Sequence, residues 1–564
     1  MRETLDFETL LEGITKTFTQ LLRENPYESG LSQKELRERL HKKGILRNAL
    51  RSCIYGDMKA KRYVKDCIRD ILVKKYGLDN QKIQESIPFQ DPFLLSAEEK
   101  FAILLYIYHR EKGVYGLEQL LQDYELDKPR FNGEGMRYYE ITAEDIHRVY
   151  DEYPYLNLDF NDRLNILAQR LYERYKGNGV IDGIRDMRID GVSAGVSGIP
   201  EDYDMNGMIS GAAEPRALPA SYDSIWLFYH GKSIHLSFLG FHSYRELIRV
   251  CRNIYRYNNP EQLSAAKGYT VNEMMDGSRV AVARPPFCES WVLFVRKFDT
   301  VLQEDIHKLI TDQNKELPIT VMKWLIKGCQ VTGITGEQGS GKTTLLMSLI
   351  GFIPPSYNLR VHELSFELHL RRIYPDRNIV TFRETADVSG QEGLDFSKKS
   401  DGTVSILGEV ASNPICCWLI SMAQVASLFT LFTHHAKTTE NLVISMRNAL
   451  LLEGGFHDEK AACRQVTEAI RFDVHMKKGM DGHRYIEHIN EIVPEGDTFS
   501  VRELVCFREG RYVKGEGFST DSVEDISFHL EPAERKDFQR FIGEWENEGL
   551  VSASTEASLG AGVS

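Results

Sequence analysis

The sequence has no pair of cysteines at the C-x-x-C spacing that zinc sites and redox-active disulfides use. Its nine cysteines are scattered along 564 residues, so reduced thiols in a cytosolic compartment are expected rather than a disulfide framework. The first residues, Met1 to Glu8, are acidic and lack the apolar core of a secretory signal. The chain also lacks an excess of basic residues: 69 lysines and arginines face 82 acidic residues, and the net charge of −13 argues against a general nucleic-acid binder.

Long apolar runs are scarce too, and one stretch needs testing as a membrane span. Residues 410–433 carry no charged side chain and are long enough to cross a bilayer. However, Asn413 and Pro414 interrupt the start of this stretch, and Ser421 and Gln424 dilute it. We therefore expect a buried helix that runs into a central strand, and no membrane-spanning segment.

The length of the chain exceeds what a single core supports, so several domains are expected. Apolar residues recur at helical spacing over Phe101–Tyr108 and Arg163–Tyr172, whereas Ile184–Ile189 reads as a strand in a glycine-rich stretch. We predict a mainly helical region, a glycine-rich linker or insertion, a small α+β domain, a larger α/β domain, and a C-terminal appendage with a disordered tail. Their predicted boundaries are 1–175, 176–220, 221–300, 301–500 and 501–564.

The small α+β domain is predicted from alternating apolar residues and turn signals. Two runs that flank His230 and Gly231 read as a hairpin, a helix follows, and a second pair of strands closes the domain. The predicted elements are strands over Ile225–Tyr229 and Ser233–Phe238, a helix over Ser243–Tyr257, and strands over Arg279–Ala283 and Trp291–Val295.

The strongest chemical signal is a phosphate-binding loop of the form G-x-x-x-x-G-K-T. A β-rich run over Cys329–Ile334 precedes this loop, and a helical run over Thr344–Ile350 follows it. Lys342 would neutralise the β- and γ-phosphates of ATP, and the Thr343 hydroxyl would ligate Mg²⁺. The alternative is a glycine-rich turn with an exposed lysine, which the strand–loop–helix context disfavours. The predicted nucleotide-binding residues are Gly336, Glu337, Gln338, Gly339, Ser340, Gly341, Lys342, Thr343 and Thr344.

Three glutamates follow two predicted strands beyond the loop. Glu409 ends the apolar run Thr403–Glu409, where a carboxylate would hold Mg²⁺ or orient the attacking water. Glu363 and Glu367 follow the strand Leu359–Val361, and a carboxylate there would polarise the lytic water. The alternatives are an ordinary strand end for Glu409 and a solvated helix edge for the other two.

Two histidines, His434 and His435, end the apolar strand Leu428–Thr433. A histidine at a strand end would sense the γ-phosphate or donate to it, and the alternative is a hydrogen-bonded core residue. No cysteine or histidine stands at zinc-ligand spacing from them, so no zinc site is expected here.

Taken in order, these motifs resemble those of the secretion ATPases of type II and type IV secretion and type IV pilus assembly. They are most similar to the CpaF-like ATPases of Tad/Flp pilus systems, over roughly residues 177–493. The segments that carry the resemblance are Met275–Val280, Arg284–Pro286, Phe294–Phe298, the phosphate loop, Gly351–Pro355, Leu407–Val410, Thr433–Ala436, Ile470–His475 and Arg484–Ile492.

The resemblance assigns roles to individual residues. It implies that Glu363 is the catalytic glutamate of the acidic box, Glu409 the Walker B glutamate that also holds Mg²⁺, and His435 the box histidine. It also implies that Arg279 and Arg296 reach the nucleotide from the smaller domain, where guanidinium groups would supply charge to the transition state.

The resemblance further implies an α/β fold with a RecA-like P-loop NTPase core, preceded by a small PAS-like α+β domain and the N-terminal helical region. It implies a homohexamer that binds nucleotide between the two domains. A cytoplasmic location at the inner face of the cytoplasmic membrane and an inner-membrane platform protein as partner are also implied.

The sequence departs from the family pattern at three places. Ala411 stands where the family has arginine after the Walker B glutamate, and Leu364 stands where the acidic box has aspartate. The arginine-rich segment before Walker B is reduced to Ser397-Lys-Lys-Ser400. Each departure removes a charge near the nucleotide, so ATP binding is expected while the rate of hydrolysis is left open.

Three functions are compatible with these features. The first is a hexameric motor that uses ATP hydrolysis for pilus assembly or protein secretion. The second is a nucleotide-binding scaffold of the same machinery with weak hydrolysis, which the altered positions Ala411 and Leu364 motivate. The third is a DNA-transfer ATPase of conjugation or competence, which the acidic charge balance disfavours.

Overall fold

The computed structural model of the chain describes the following residues: 5–25, 32–153, 157–200, 219–259, 262–297, 305–363, 366–384, 388–425, 427–453, 456–479 and 482–545. Leu364, Phe298, part of the predicted linker and the predicted disordered tail over Val551–Ser564 lie outside these ranges. The chain divides into two compact units, Met1–Asp299 and Thr300–Ser564. Within the described residues, every helix is too short or too polar to cross a membrane.

The first half of unit 1 is mainly helical, and capping residues fix where several helices begin. Ser32 and Glu35 form a reciprocal capping box at the start of one helix, and Ser96 and Glu99 form another. The predicted helices over Phe101–Tyr108 and Arg163–Tyr172 are confirmed as parts of α4 and α7. The helices are α1 (Phe7–Arg23), α2 (Gln33–Ser52), α3 (Met58–Lys74), α4 (Ala97–Lys112), α5 (Gly116–Asp123), α6 (Ala143–Glu152), α7 (Phe160–Tyr175), α8 (Asp182–Arg185) and α9 (Tyr244–Ile254).

A seven-stranded sheet, in the order β3-β6-β5-β4-β9-β8-β7, forms the rest of unit 1. The predicted hairpin, the helix after it (α9) and the last two predicted strands are confirmed. The strands of this unit are β1 (Arg130–Phe131), β2 (Arg137–Tyr138), β3 (Glu140–Ile141), β4 (Gly191–Ala194), β5 (Ile225–Tyr229), β6 (Lys232–Leu236), β7 (Tyr269–Glu273), β8 (Arg279–Ala283) and β9 (Val292–Arg296). Among the described strands, β1 and β2 pair only with each other.

The strand predicted over Ile184–Ile189 is wrong. Residues Asp182–Arg185 form the short helix α8, and the neighbouring strand is β4, which starts at Gly191. The prediction took apolar residues as buried and charged residues as exposed. In the structure the charged residues Asp182 and Arg185 are buried as well, each only 1% exposed.

Those two residues belong to a buried network of charges. Lys61 on α3 donates to both Asp182 and Asp186, and Arg185 Nη1 lies 2.5 Å from Asp276 Oδ2 in the turn between β7 and β8. Because each buried charge has a partner of opposite sign, the network ties the helices to the sheet at one defined place.

The helices and the seven-stranded sheet of unit 1 also share one hydrophobic core. Its buried residues run from Leu10 on α1 to Val295 on β9. In addition, β3 pairs with β6 in parallel, so a strand from the helical region completes the sheet. The predicted boundary near residue 175 therefore falls inside a single core.

Unit 2 is built around a nine-stranded sheet in the order β12-β11-β13-β14-β10-β15-β16-β17-β18. The strands from β12 to β15 are parallel and the last three are antiparallel. The strands are β10 (Thr332–Gly336), β11 (Leu359–Glu363), β12 (Ile379–Arg383), β13 (Val404–Leu407), β14 (Phe429–His434), β15 (Phe472–Lys478), β16 (Arg484–Glu495), β17 (Thr498–Arg508) and β18 (Arg511–Lys514). The predicted boundary at residue 500 falls inside β17.

Helices cover this parallel sheet, which gives unit 2 a RecA-like α/β core. The helices are α10 (Ile306–Leu309), α11 (Glu316–Lys327), α12 (Lys342–Leu349), α13 (Leu370–Ile373), α14 (Gly390–Ser397), α15 (Asn413–Val425), α16 (Thr439–Leu452), α17 (Glu459–Ala469) and α18 (Thr520–His529), and a further helix covers 532–545. The uncharged run 410–433 forms α15 and β14, as predicted.

The strand order positions the site. The strand β14 lies between β10, which leads into the glycine loop, and β13, which leads to Glu409. Because these strands are parallel, their carboxyl ends meet at one edge of the sheet, where ligands of open α/β sheets bind.

Candidate nucleotide-binding site

The glycine loop leaves β10 and enters α12 with a backbone that only glycine adopts without strain. Gly336 has a φ of 136°, and a Cβ atom at this position would lie 2.1 Å from the carbonyl oxygen of Met476. Gly341, with a φ of 99°, immediately precedes the first residue of α12. Amide groups at such a loop and helix N-terminus form a cradle for phosphate groups, so the residues fit the β- and γ-phosphates of a nucleotide.

Lys342 folds back over this cradle. Its Nζ donates to the carbonyl oxygens of Gly336, at 2.9 Å, and Glu337, at 2.8 Å. Burial lowers the pKa of Lys342 to about 8, and the charges of Glu409 and Glu337 only partly offset this effect. The ammonium group is therefore positioned in the loop, where an incoming phosphate would exchange with the carbonyl partners.

His435 lies between the loop lysine and Glu409. Its Nδ1 lies 3.4 Å from Lys342 Nζ, and its Nε2 lies 3.2 Å from Glu409 Oε1. His435 directly follows β14, and Glu409 lies two residues beyond β13. The structure thus brings together three of the predicted catalytic residues, which come from three different parts of the chain.

The neighbouring His434 is a core residue instead. Its Nδ1 lies 2.7 Å from the carbonyl oxygen of Val410, and its Nε2 lies 3.1 Å from Ser445 Oγ. Burial lowers its pKa, so the ring stays neutral. Of the two strand-end histidines, His435 alone faces the phosphate loop.

Glu363, the fourth predicted catalytic residue, ends β11 beside the Walker B turn. Its Oε1 accepts hydrogen bonds from the backbone amides of Glu367, at 2.8 Å, and Leu368, at 2.7 Å. A Cβ atom at Gly408 would lie 3.0 Å from Glu363 Cγ, so the methylene stem of Glu363 lies beside the residue that precedes Glu409. These amide donors fix the orientation of the side chain, as required of a group that positions water.

The predicted magnesium ligands carry oxygen donors of the type that Mg²⁺ prefers. Thr343 is the second residue of α12 and is half-buried, and Glu409 is also half-buried. Both lie on the edge of the sheet where the phosphate loop opens.

A second polar cluster, which was not predicted from the sequence, surrounds Thr335, the residue before the first glycine of the loop. Ligand-type atoms of Asp473, His475 and His488 lie within 4.8 Å of one another, a grouping that resembles a metal site. The Thr335 hydroxyl lies between two of them, 2.6 Å from Asp473 Oδ1 and 2.8 Å from His475 Nδ1. Asp473 Oδ2 accepts from Thr439 Oγ1 at 2.7 Å. The cluster is therefore organised by hydrogen bonds.

This cluster connects two parts of the candidate site. Thr335 directly precedes Gly336 of the loop, and Thr439 is the first residue of α16, which follows the histidine pair. Asp473 thus bridges the phosphate-loop strand and the segment that carries His435. The one local signal was the position of Thr335 beside the loop, since its partner Asp473 lies 138 residues away in sequence.

No protein-family model matches the chain, and no curated protein matches it at a significant level. Similar solved structures include the VirB11 ATPase of the Brucella suis type IV secretion system, with 18% identity over 53% of this chain and 88% of that chain, and a TM-score of 0.28. The Legionella pneumophila ATPase DotB shares 14% identity over 64% of this chain and 85% of that chain, with a TM-score of 0.36.

The pilus retraction motor PilT with bound ADP is similar at 12% identity over 55% of this chain and 82% of that chain, with a TM-score of 0.34. At these identities and TM-scores the likeness carries no functional conclusion. The function is inferred from the residues of the site.

The two predicted arginines belong to unit 1. Arg279 begins β8 and Arg296 ends β9, and they stand directly opposite each other in the antiparallel pair. They therefore form an adjacent pair at one end of the seven-stranded sheet.

Proposed function

We propose that the chain is an ATPase that converts ATP hydrolysis into mechanical work for pilus assembly or protein secretion. The observation that carries this proposal is the row Lys342–His435–Glu409 beside a glycine loop at the carboxyl edge of a parallel sheet. Phosphoryl transfer to water requires a cation at the phosphates and a carboxylate that handles the attacking water. Here the loop supplies the lysine, the strand after next supplies the carboxylate, and a polar side chain lies between them.

In this proposal each residue has a separate task. The loop amides and Lys342 hold the phosphates of ATP and oppose their charge. Glu409 and Glu363 orient the attacking water and accept its proton, with Glu363 held by the two amides of its own loop. His435 contacts both sides of the reaction centre.

Thr343 and Glu409 would hold Mg²⁺. The ion, when bound, supplies positive charge to the β- and γ-phosphates. The structural support is the type and placement of these oxygen donors at the mouth of the loop.

The motor assignment rests on the order of the family motifs. In it, the chain is a CpaF-like member of the secretion ATPases, forms a homohexamer at the inner face of the cytoplasmic membrane, and acts on an inner-membrane platform protein. Arg279 and Arg296 supply transition-state charge from the smaller domain, and their side-by-side placement on β8 and β9 supports a joint role. The five predicted parts of the chain belong to the same proposal as functional segments, since the boundaries at residues 175 and 500 fall inside a shared core and inside β17.

One observation favours a second function, that of a nucleotide-binding scaffold with weak hydrolysis. Ala411, exposed directly after the Walker B segment, replaces an arginine of the family pattern and leaves the site with one cation fewer. Steady-state phosphate release by the purified protein separates the two functions, because a scaffold binds ATP but releases little phosphate.

The decisive experiment compares Lys342→Ala with the wild type in a phosphate-release assay. Removing the loop cation is expected to lower the turnover rate by at least ~10³-fold, because the developing charge on the phosphates loses its partner. Lys536→Ala is the matched control, since this lysine is exposed on the C-terminal helix. Equal turnover in the Lys342→Ala variant and the wild type would overturn the proposal.

A further inference from the structure

The strand pair β15–β16 lies directly against the phosphate loop. The carbonyl oxygen of Met476 on β15 approaches Gly336, as described above. A Cβ atom at Gly341 would lie 3.4 Å from Met476 Cε and 3.5 Å from Arg484 Cδ. The first residue of β16 therefore places its aliphatic stem beside the last glycine of the loop, where a side chain at position 341 would touch it.

The side chain of Arg484 differs from its basic neighbours in what it binds. Lys477 Nζ pairs with Glu487 at 2.5 Å, and His483 Nε2 pairs with Asp312 at 2.9 Å. The Arg484 side chain is exposed and makes no hydrogen bond or ion pair with any residue that the structure describes. A guanidinium group that neighbours a phosphate loop, and that no carboxylate of the described ranges engages, is poised for an external anion.

The charge balance of the loop shows why a second cation matters. The loop contains one acidic residue, Glu337, whose charge acts on Lys342. The Lys342 ammonium group is shared between two loop carbonyls. A nucleoside diphosphate or triphosphate brings several negative charges, and a guanidinium binds phosphate oxygens through two parallel N–H donors.

We propose that Arg484 binds the phosphates of a nucleoside di- or triphosphate held in the loop. It approaches from β16, on the side of the loop opposite β14 and His435. This inference rests on the proposed function, since it takes nucleotide binding by the loop as given. The contact recognises the polyphosphate group and does not distinguish one base from another.

The test measures dissociation constants by isothermal titration calorimetry on the full-length chain, with Mg²⁺–ADP and with Mg²⁺–pyrophosphate as probes. Arg484→Gln is expected to weaken both ligands by about tenfold, the loss that corresponds to one charge-assisted hydrogen-bonded contact. Arg484→Lys keeps the positive charge but loses the two parallel N–H donors of the guanidinium. Its affinity for both ligands is therefore expected to lie between those of the wild type and the Gln variant. Arg540→Gln, at an exposed position of the helix over 532–545, is the matched control and should bind like the wild type.

The outcomes separate the two proposals. If the wild type binds Mg²⁺–ADP and Arg484→Gln binds it equally well, the role of Arg484 is overturned while the proposed function stands. Weaker binding of ADP with unchanged binding of pyrophosphate also overturns it, since the contact would then be to the nucleoside. If the wild type binds neither probe, both proposals fail. The comparison is valid when the ligand-free wild type and variants have the same melting temperature. This is expected because the Arg484 side chain is exposed.

Discussion

Nε2 of His435 lies 3.2 Å from Oε1 of Glu409, across the ends of two neighbouring parallel strands. The other ring nitrogen faces the loop lysine, so the imidazole stands between the group that holds phosphate and the group that handles water. This relationship makes the two ends of the proposed reaction separable by substitution.

Replacing Glu409 by glutamine should abolish hydrolysis while nucleotide binding persists. The carboxamide keeps an oxygen for the hydration shell of Mg²⁺ but cannot accept a proton, so a fall in kcat of about 10²–10⁴-fold is expected. Phosphate release and ADP titration on the same preparation measure the two properties. Glu468→Gln, at an exposed position on α17, serves as the control. Loss of binding together with turnover would contradict the assignment.

The two adjacent histidines should give opposite results. His435→Ala is expected to lower kcat with little change in the melting temperature, because this side chain is exposed and contacts Lys342 and Glu409. His434→Ala should instead lower the free energy of unfolding by about 1–3 kcal/mol, since it leaves the buried carbonyl group of Val410 and the Ser445 hydroxyl without their partner.

Differential scanning fluorimetry and phosphate-release assays on both variants check these expectations. A variant pair in which His434→Ala loses activity at full stability would reverse the roles assigned to the two residues.

Nucleotide affinity should fall as the pH rises above about 8. Burial lowers the pKa of Lys342 to about 8, so the free loop progressively loses its cation above that value. Bound phosphate raises this pKa again, and binding must then take up as much as one proton, which weakens the dissociation constant by up to about tenfold per pH unit. Titrations with ADP from pH 7 to 9.5, in buffers of different ionisation enthalpy, measure both effects.

The same pKa has a consequence of opposite sign for folding. In the unfolded chain the lysine keeps its ordinary, higher pKa, so between the two values the unfolded state binds more protons. Burial of the charged Lys342 therefore costs folding stability at neutral pH, and this cost diminishes as the pH rises through that range. Stability and nucleotide affinity should therefore respond to alkaline pH in opposite directions at this residue. A Lys342→Met variant should lack both responses.

Asp473 should couple the stability of the core to turnover. Asp473→Asn replaces one of the two acceptor oxygens with a donor, so either the Thr335 or the Thr439 hydroxyl loses its acceptor at a cost of about 1–3 kcal/mol. Because Thr335 adjoins Gly336, a lower kcat is expected with it. Asp537→Asn on the exposed C-terminal helix is the control. Unchanged unfolding in urea for Asp473→Asn would contradict this role.

The parts of the site that could be predicted are those whose residues lie close together in the sequence or at the ends of apolar runs. Gly336 and Thr343 are only seven positions apart, and the flanking strand and helix are continuous with them, so the sequence was sufficient to predict the loop and its context. Glu409 and His435 were found because each follows an apolar run, and the ends of parallel strands converge whatever their separation in sequence.

The parts that were missed depend on contacts between distant segments. Arg484 lies beside Gly341 only because β15 and β16 pair beside β10, and no local spacing in the sequence predicts this proximity. Thr335 and Asp473 meet for the same reason. The strand predicted over Ile184–Ile189 failed because the burial of Arg185 depends on Asp276, a partner far along the chain. Local patterns report periodicity, and they do not report which distant charge will neutralise a buried one.

The bond between Arg185 and Asp276 also bears on how unit 1 can be divided in the laboratory and in evolution. A chain cut at residue 175 would lose Lys61 and strip the helices from the core that β4 to β9 share with them. Asp182 and Asp186 would then keep only part of the positive charge that balances them. The two halves should therefore melt together in a single transition, resist exchange between homologous proteins as separate modules, and tolerate truncation poorly.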